Sequence, residues 1–114
     1  MEAWSFTEQP YPATWYVDEP SLCATLPNRY FDPKLGADLY HRYLDDWAAC
    51  DELGLNLMVN EHHVSATYLT VSCTHTLAIL ARITKKARLL SLGINLANRP
   101  DPIKIAEESL SRPV

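Results

Sequence analysis

Three adjacent residues, Glu61, His62 and His63, place one carboxylate and two imidazoles side by side near the middle of the chain. These side-chain types bind divalent metals, and histidine also exchanges protons near neutral pH. They also occur at the polar ends of ordinary strands. The residue types alone therefore leave three interpretations open: metal ligands, a group for acid/base or hydrogen-bonding work, and a structural strand end.

The residues before this triplet indicate which way its side chains point. Apolar residues alternate with more polar ones over LNLMVN, which predicts a strand over 55–60. Because neighbouring strand residues face opposite sides of a sheet, Glu61 and His63 continue the side of Leu57, and His62 continues the side of Asn60. We expect the apolar side to pack under helices and His62 to point toward a ligand, with Glu61 orienting a neighbouring group.

This alternation makes a shared metal ion at the triplet less favourable than proton handling. Residues on opposite faces of a strand cannot easily ligate one ion, and the nearest further ligand types are Cys73 and His75 on the next predicted helix. We therefore favour general acid/base or hydrogen-bonding work by His62. A divalent metal held by Glu61, His62 and His75 remains a weaker alternative.

Capping residues and hydrophobic periodicity predict the elements around this strand. Asp32-Pro33 and Asp101-Pro102 each combine a favoured N-cap with a proline that is tolerated in the first turn, and Gly54 suits a helix stop. The predicted elements are a strand near 3–6, a loop over 7–32, a helix over 33–53, a strand over 55–60, a helix over 69–85, a strand over 89–96 and the start of a helix over 102–110.

Strands that alternate with helices pair in parallel through right-handed crossovers, as in a doubly wound sheet or a β/α barrel. Ligands in both folds bind at the carboxyl ends of the strands. The long loop contains four prolines and several aromatic residues, among them Trp15 and Tyr30. We expect this loop to pack over a cleft and to exclude water from it.

Composition limits the class of protein. The chain has 114 residues, 47% of them hydrophobic, which suits one small globular domain or part of one. Its formal net charge is −4 and its basic residues are scattered, so we do not expect nucleic acid as a partner. The sequence shows no signal-peptide pattern and no apolar run of membrane-spanning length, and its three cysteines are far apart; these features predict a cytoplasmic protein with reduced thiols and no membrane association.

Three segments of the chain together resemble the N-terminal part of the bacterial luciferase-like, flavin-dependent monooxygenases. They read NRYFDPKLGADLYHRYLDDW, DELGLNLMVNEHH and LAILARITKKARLLSLGINLANRPDPIKIAEE. A helix followed by a strand that ends in Glu-His-His is a usual sequence pattern of this family. A helix that starts with Pro-x-x-x-Ala-Glu-Glu is another. The resemblance implies a (β/α)8 barrel of which this chain would be the N-terminal fragment, with about two and a half β/α units.

The resemblance also implies an activity and a set of site residues. Members use reduced FMN, supplied by a separate flavin reductase, and dioxygen to oxidise a small organic substrate. The first histidine of the pair handles a proton near the flavin, so His62 is the expected catalytic residue. The expected cofactor-binding residues are Asn60, Leu92, Gly93 and Asn95, in a region where the family sometimes has a non-proline cis peptide.

A complete barrel needs about 250 residues, so the resemblance implies that this chain lacks the later strands that close the barrel and build the flavin phosphate site. We therefore expect a truncated member that does not hold flavin tightly alone. Exposed strand edges would also allow a homo-oligomer or a hetero-oligomer to form. The alternative is a non-catalytic remnant that acts as an interaction or assembly piece.

Overall fold

The computed structural model describes residues 1–20, 26–63 and 68–110, which form an α/β fold. A three-stranded parallel sheet has the order β1, β2, β3, so that each strand neighbours the next along the chain. The strands are β1 (Trp4–Phe6), β2 (Asn56–Val59) and β3 (Leu89–Ser91), and the α-helices are α1 (Pro33–Glu52), α2 (Cys73–Ile83) and α3 (Pro102–Leu110). Short 3-10 helices cover Pro12–Thr14, Asn28–Tyr30 and Leu96–Asn98.

Helix α1 begins and ends where its sequence signals predict. The Asp32 carboxylate accepts hydrogen bonds from the backbone N–H groups of Lys34 at 2.8 Å and Leu35 at 3.3 Å, which are among the donors that a helix start leaves unpaired. Just beyond the helix, Gly54 has a φ of 79°, a conformation that favours glycine. No helix among the described residues has both the length and the apolar character that crossing a membrane requires.

The core lies between one face of the sheet and helices α1 and α2. Leu57 and Val59 of β2 are almost fully buried there against Trp47 of α1 and the α2 residues Leu77 and Leu80. The apolar side of β2 therefore packs under helices, as its alternation predicts. The opposite face carries apolar side chains that stay accessible, with exposed fractions of 44% for Phe6 and 40% for Leu90.

Helix α2 begins at Cys73, so the prediction of a helix from residue 69 is wrong at its start. The residues before it run beside other chain segments: the Leu69 N–H donates to the Gln9 carbonyl at 3.0 Å, and the Thr70 carbonyl accepts from the His62 N–H at 2.9 Å. These backbone groups are already paired outside a helix. Leu69 fits the helical spacing of α2 but lies at a bend in this non-helical segment.

Strand β3 ends at Ser91, so the prediction of a strand to residue 96 is also wrong. The Leu92 N–H still donates to the Val59 carbonyl at 2.7 Å, but the Asn95 N–H donates to the Glu61 carboxylate at 2.7 Å instead of continuing the strand ladder. A 3-10 helix then begins at Leu96. The Glu61 side chain, which follows β2, therefore takes the place of the backbone hydrogen bonds that would have extended β3.

Candidate functional site at the carboxyl edge of the sheet

The candidate residues gather where the three parallel strands end. Glu61, His62 and His63 follow β2, residues 92–95 follow β3, and Glu8 and Gln9 follow β1. We refer to this end of the sheet as the carboxyl edge. Its loops are where β/α folds bind ligands.

His62 is partly exposed at the carboxyl edge, and neighbours fix its ring on two sides. The Asn60 amide nitrogen lies 2.8 Å from His62 Nε2 and donates to it when Nε2 carries no proton. The ring stacks on Tyr68, with 4.3 Å between the centroids. A carboxylate oxygen of Glu8 lies 3.5 Å from the same Nε2 and can pair with it when it is protonated. The imidazole therefore has an orienting amide and a carboxylate within reach of one nitrogen.

Glu61 points the other way, and its side chain is fully buried. One carboxylate oxygen accepts the Asn95 N–H at 2.7 Å and lies 3.4 Å from His63 Nε2. The other accepts the Cys73 N–H at 3.1 Å and an Arg99 guanidinium N–H at 3.2 Å. The two adjacent residues Glu61 and His62 therefore lie on opposite faces, as the alternation predicts, and Glu61 does orient neighbouring groups.

The charge of Glu61 is stabilised in its buried position. Burial raises the pKa of this carboxyl group, but the hydrogen bonds from the backbone of Asn95 and Cys73, with His63 and the charge of Arg99, outweigh burial and hold the pKa below its ordinary value. Glu61 is therefore an anion near neutral pH. Arg99 also pairs with Glu108 of α3 at 2.8 Å, so its cation is shared between two carboxylates.

The predicted cofactor-binding residues after β3 differ in what they leave available. Leu92 is half exposed, and among the described residues no atom outside the chain neighbours of Gly93 lies within 4 Å of the place where a side chain on Gly93 would begin. The peptide bond between Leu92 and Gly93 is cis. The Asn95 side-chain oxygen accepts the Ala97 N–H at 3.1 Å and its backbone N–H binds Glu61, so its terminal amide nitrogen is the group left for a ligand.

Sequence reasoning missed several residues at this edge. Gln9 is fully buried in a left-handed backbone conformation, with a φ of 48°, and neither polar atom of its side chain has a hydrogen-bond partner in the described part of the chain. Thr70 Oγ1 likewise has no hydrogen-bond partner among the described residues, and neither does Oδ1 of Asn60, a residue that the sequence did predict. Glu8 and Tyr68 contact His62 from loops of no regular pattern. Only the folded chain brings them there, so no spacing in the sequence marks them.

The alternative metal site brings together fewer ligands than it needs. His75 is exposed on α2 and Cys73 is buried at the start of that helix. Across residues 1–20, 26–63 and 68–110, no group of three or more His, Cys, Asp and Glu side chains is placed to hold a metal ion. The Glu61 carboxylate is instead engaged by backbone N–H groups and by Arg99.

Comparison with known proteins adds no relative from which a function could be transferred. No protein-family model matches the chain, and no curated protein or solved structure matches it. Functional inference therefore depends on the geometry of the carboxyl edge and on the resemblance of the sequence segments.

Proposed function

We propose that this chain forms the first β/α units of a (β/α)8 barrel that acts as a luciferase-like, flavin-dependent monooxygenase. In this proposal reduced FMN and dioxygen oxidise a small organic substrate. The observation that carries the proposal is the placement of His62: it lies at the carboxyl edge, on the face away from the core, with Asn60 orienting it and Glu8 within reach. A proton-handling group at this edge suits oxygen chemistry on a bound cofactor.

The residues at this edge fit the ring of a flavin. Apolar side chains of Phe6, Leu90 and Leu92 are accessible on the same side as His62 and offer a surface for a flat aromatic ring. The open space beside Gly93 lets a ring approach the backbone closely. Asn60 Oδ1 lacks a partner within the described residues and can accept a hydrogen bond from a polar ring edge.

Reduced FMN, when bound, supplies the electrons that activate dioxygen. His62 then holds a proton at Nε2 or releases it; the Asn60 amide donates to Nε2 once the proton has left, and the Glu8 carboxylate faces the protonated form. Glu8, at 3.5 Å and partly exposed, gives that proton a route to solvent. Tyr68 covers one face of the ring and limits access of water to it.

The open edges of the sheet are compatible with the expected partners. In the described part of the chain, β1 and β3 each have one edge without a neighbouring strand. Further strands are needed to close a barrel and to complete a phosphate site. In this proposal the enzyme works in the cytoplasm, a flavin reductase supplies its reduced FMN, and the open edges pair with later strands or with another subunit.

Anaerobic titration with reduced FMN tests the proposal directly. We expect a saturable, weak change in tryptophan fluorescence and in the flavin spectrum for the full chain. The spectral change should be altered in His62→Gln and unaltered in His75→Gln, because His75 is exposed on α2 and the proposal gives it no part in flavin binding. No saturable signal up to high micromolar concentration, or equal spectra for both variants, would contradict a flavin-facing His62.

The second candidate is a non-catalytic interaction or assembly piece. It is favoured by the accessible apolar face of the sheet, where Phe6 and Leu90 are about as exposed as surface residues. Sedimentation and thermal unfolding separate the candidates. A folded monomer that melts cooperatively and binds reduced FMN excludes the assembly role, whereas concentration-dependent oligomers without flavin binding support it.

A further inference from the structure

We infer that Glu61 is a positioning residue of the proposed flavin site, which holds the segment after β3 against β2 and fixes the direction of His62. This inference rests on the proposed function for its link to flavin. The contacts that carry it are independent of any ligand. They join the start of α2 and the loop between β3 and α3 to the end of β2 through one buried carboxylate.

The hydrogen bonds of Glu61 come from two places that are distant in sequence, the start of α2 and the loop between β3 and α3. The Cys73 N–H begins α2, the Asn95 N–H follows β3, and Arg99 precedes α3. The side chain that accepts them follows β2 directly. One residue therefore fixes the relative positions of the second and third β/α units at the edge where ligands bind.

The Asn95 contact matters most for the flavin-facing segment. After the Leu92 N–H donates to Val59, two further bonds tie this backbone to the second unit: the Cys73 thiol donates to the Gly93 carbonyl at 3.7 Å, and the Asn95 N–H donates to Glu61. Within the described residues, space is open at the side-chain position of Gly93 apart from its chain neighbours. The position of the Gly93 backbone is thus set by the strand contact on one side, by the Cys73 thiol at its own carbonyl, and by Glu61 on the other side.

The effect on His62 passes through the backbone. Neighbouring residues of an extended chain point to opposite faces, so a Glu61 side chain held on the core side leaves His62 on the ligand side. The His62 N–H also binds the Thr70 carbonyl at 2.9 Å, which keeps this stretch extended. Loss of the Glu61 contacts would let the stretch rotate and would change the distance from His62 to Asn60.

Glu61 does not itself act on a substrate. Its side chain is fully buried, and both carboxylate oxygens are occupied by donors of the protein. Arg99 is likewise held between Glu61 and Glu108. The pair therefore organises the loops that carry His62 and Gly93 and stays out of contact with the reacting atoms.

The test compares Glu61→Gln with Asp51→Asn in the full chain. Both variants replace a buried carboxylate that accepts backbone N–H groups by an amide of the same shape, but Asp51 binds the loop at the opposite edge of the sheet. Three quantities are measured: hydrogen exchange at the Asn95 amide, the ¹⁵N chemical shifts of the His62 imidazole, and affinity for reduced FMN.

For Glu61→Gln we expect exchange at Asn95 to accelerate about tenfold or more, because an amide NH₂ group then faces a backbone donor. The His62 ¹⁵N shifts should move, and affinity for reduced FMN should weaken roughly tenfold. In Asp51→Asn the three quantities should remain at wild-type values although the melting temperature falls. If Glu61→Gln does not fold, Arg99→Met, which keeps Glu61 and both backbone donors, should shift His62 and Asn95 in the same direction by a smaller amount.

Unchanged His62 shifts and Asn95 exchange in a folded Glu61→Gln or Arg99→Met variant would overturn the inference, as would equal changes in Asp51→Asn. Failure of the proposed function has a different signature. In that case the wild-type chain gives no saturable signal with reduced FMN, while the His62 shifts and Asn95 exchange still report on positioning by Glu61.

Discussion

Two buried carboxylates stabilise opposite edges of the same sheet in different ways. Asp51, near the end of α1, accepts hydrogen bonds from three consecutive backbone N–H groups in the loop before β3, those of Lys85, Lys86 and Ala87, at 2.6–2.9 Å. Glu61, after β2, accepts N–H groups from the start of α2 and from the loop after β3, and pairs with Arg99 of the same loop. Asp51 therefore caps one loop, whereas Glu61 links a helix start and a loop to the end of β2.

Both carboxyl groups have a lowered pKa, but their surroundings differ. Burial raises the pKa of Asp51, and its three backbone donors outweigh burial and lower that pKa below its ordinary value, as happens for Glu61. The loop bound by Asp51 is exposed at Lys85 and Lys86, so water can replace a lost bond there. Around Glu61 the bond from the Cys73 N–H is buried, and those from Asn95 and Arg99 are partly buried. In β/α barrels the amino edge of the sheet usually serves stability and the carboxyl edge serves function, and the roles proposed for the two carboxylates match this division.

The largest effect is expected for Glu61→Ala. Removing this side chain leaves Arg99 with one carboxylate and strips the Cys73 and Asn95 amides of their acceptor, which should lower the free energy of unfolding by about 4 kcal/mol. Urea denaturation followed by circular dichroism measures the change. A loss no larger than that of Asp51→Ala would remove the distinction between the two edges.

A smaller loss is expected for Asp51→Ala. Three amides lose their acceptor, but the exposed loop lets water bind them, so we expect the free energy of unfolding to fall by about 2 kcal/mol. Binding of reduced FMN to the folded fraction should be unaffected. Weakened flavin binding in this variant, at a temperature where it is fully folded, would show that the amino edge also shapes the ligand site.

Acid should weaken both edges, because the folded-state pKa of each carboxyl group lies below its unfolded value. Each group then contributes stability above its ordinary pKa, 4.5 for Glu61 and 3.8 for Asp51, and that contribution is lost as the pH falls through the folded-state value. We expect the urea midpoint to fall between about pH 5 and pH 2, and Glu61→Gln and Asp51→Asn each to flatten this dependence. A steeper dependence in either variant would contradict the sign.

The smallest effect on stability is expected for His62→Gln. The His62 side chain is partly exposed and, within the described residues, accepts no hydrogen bond from a backbone N–H group. The free energy of unfolding should therefore change by no more than about 0.5 kcal/mol. The spectrum of bound reduced flavin should nevertheless change. This result would distinguish His62, which faces the ligand in the proposal, from Glu61, which links parts of the chain. A large loss of stability in this variant would instead place His62 among the structural groups of the edge.

The residues of β2 show how far sequence reasoning reaches. Alternation over LNLMVN predicted which side packs against helices, and Leu57 and Val59 are buried there. The same alternation predicted that the side chains of Glu61 and His62 point to opposite faces. The limits of α2 and β3 were predicted less well, because Leu69 and Leu96 fit local patterns while hydrogen bonds from distant segments ended the elements at other residues.

The sequence by itself determined the order of strands and helices, the Asp-Pro start of α1 and the opposed directions of Glu61 and His62. These features depend on local periodicity and on capping within a few residues. Only the tertiary structure decided that Glu61 binds Cys73, Asn95 and Arg99, and that Glu8 lies beside His62. Such contacts join residues whose separation along the chain carries no signal, because packing of parallel strands alone brings their loops to one edge.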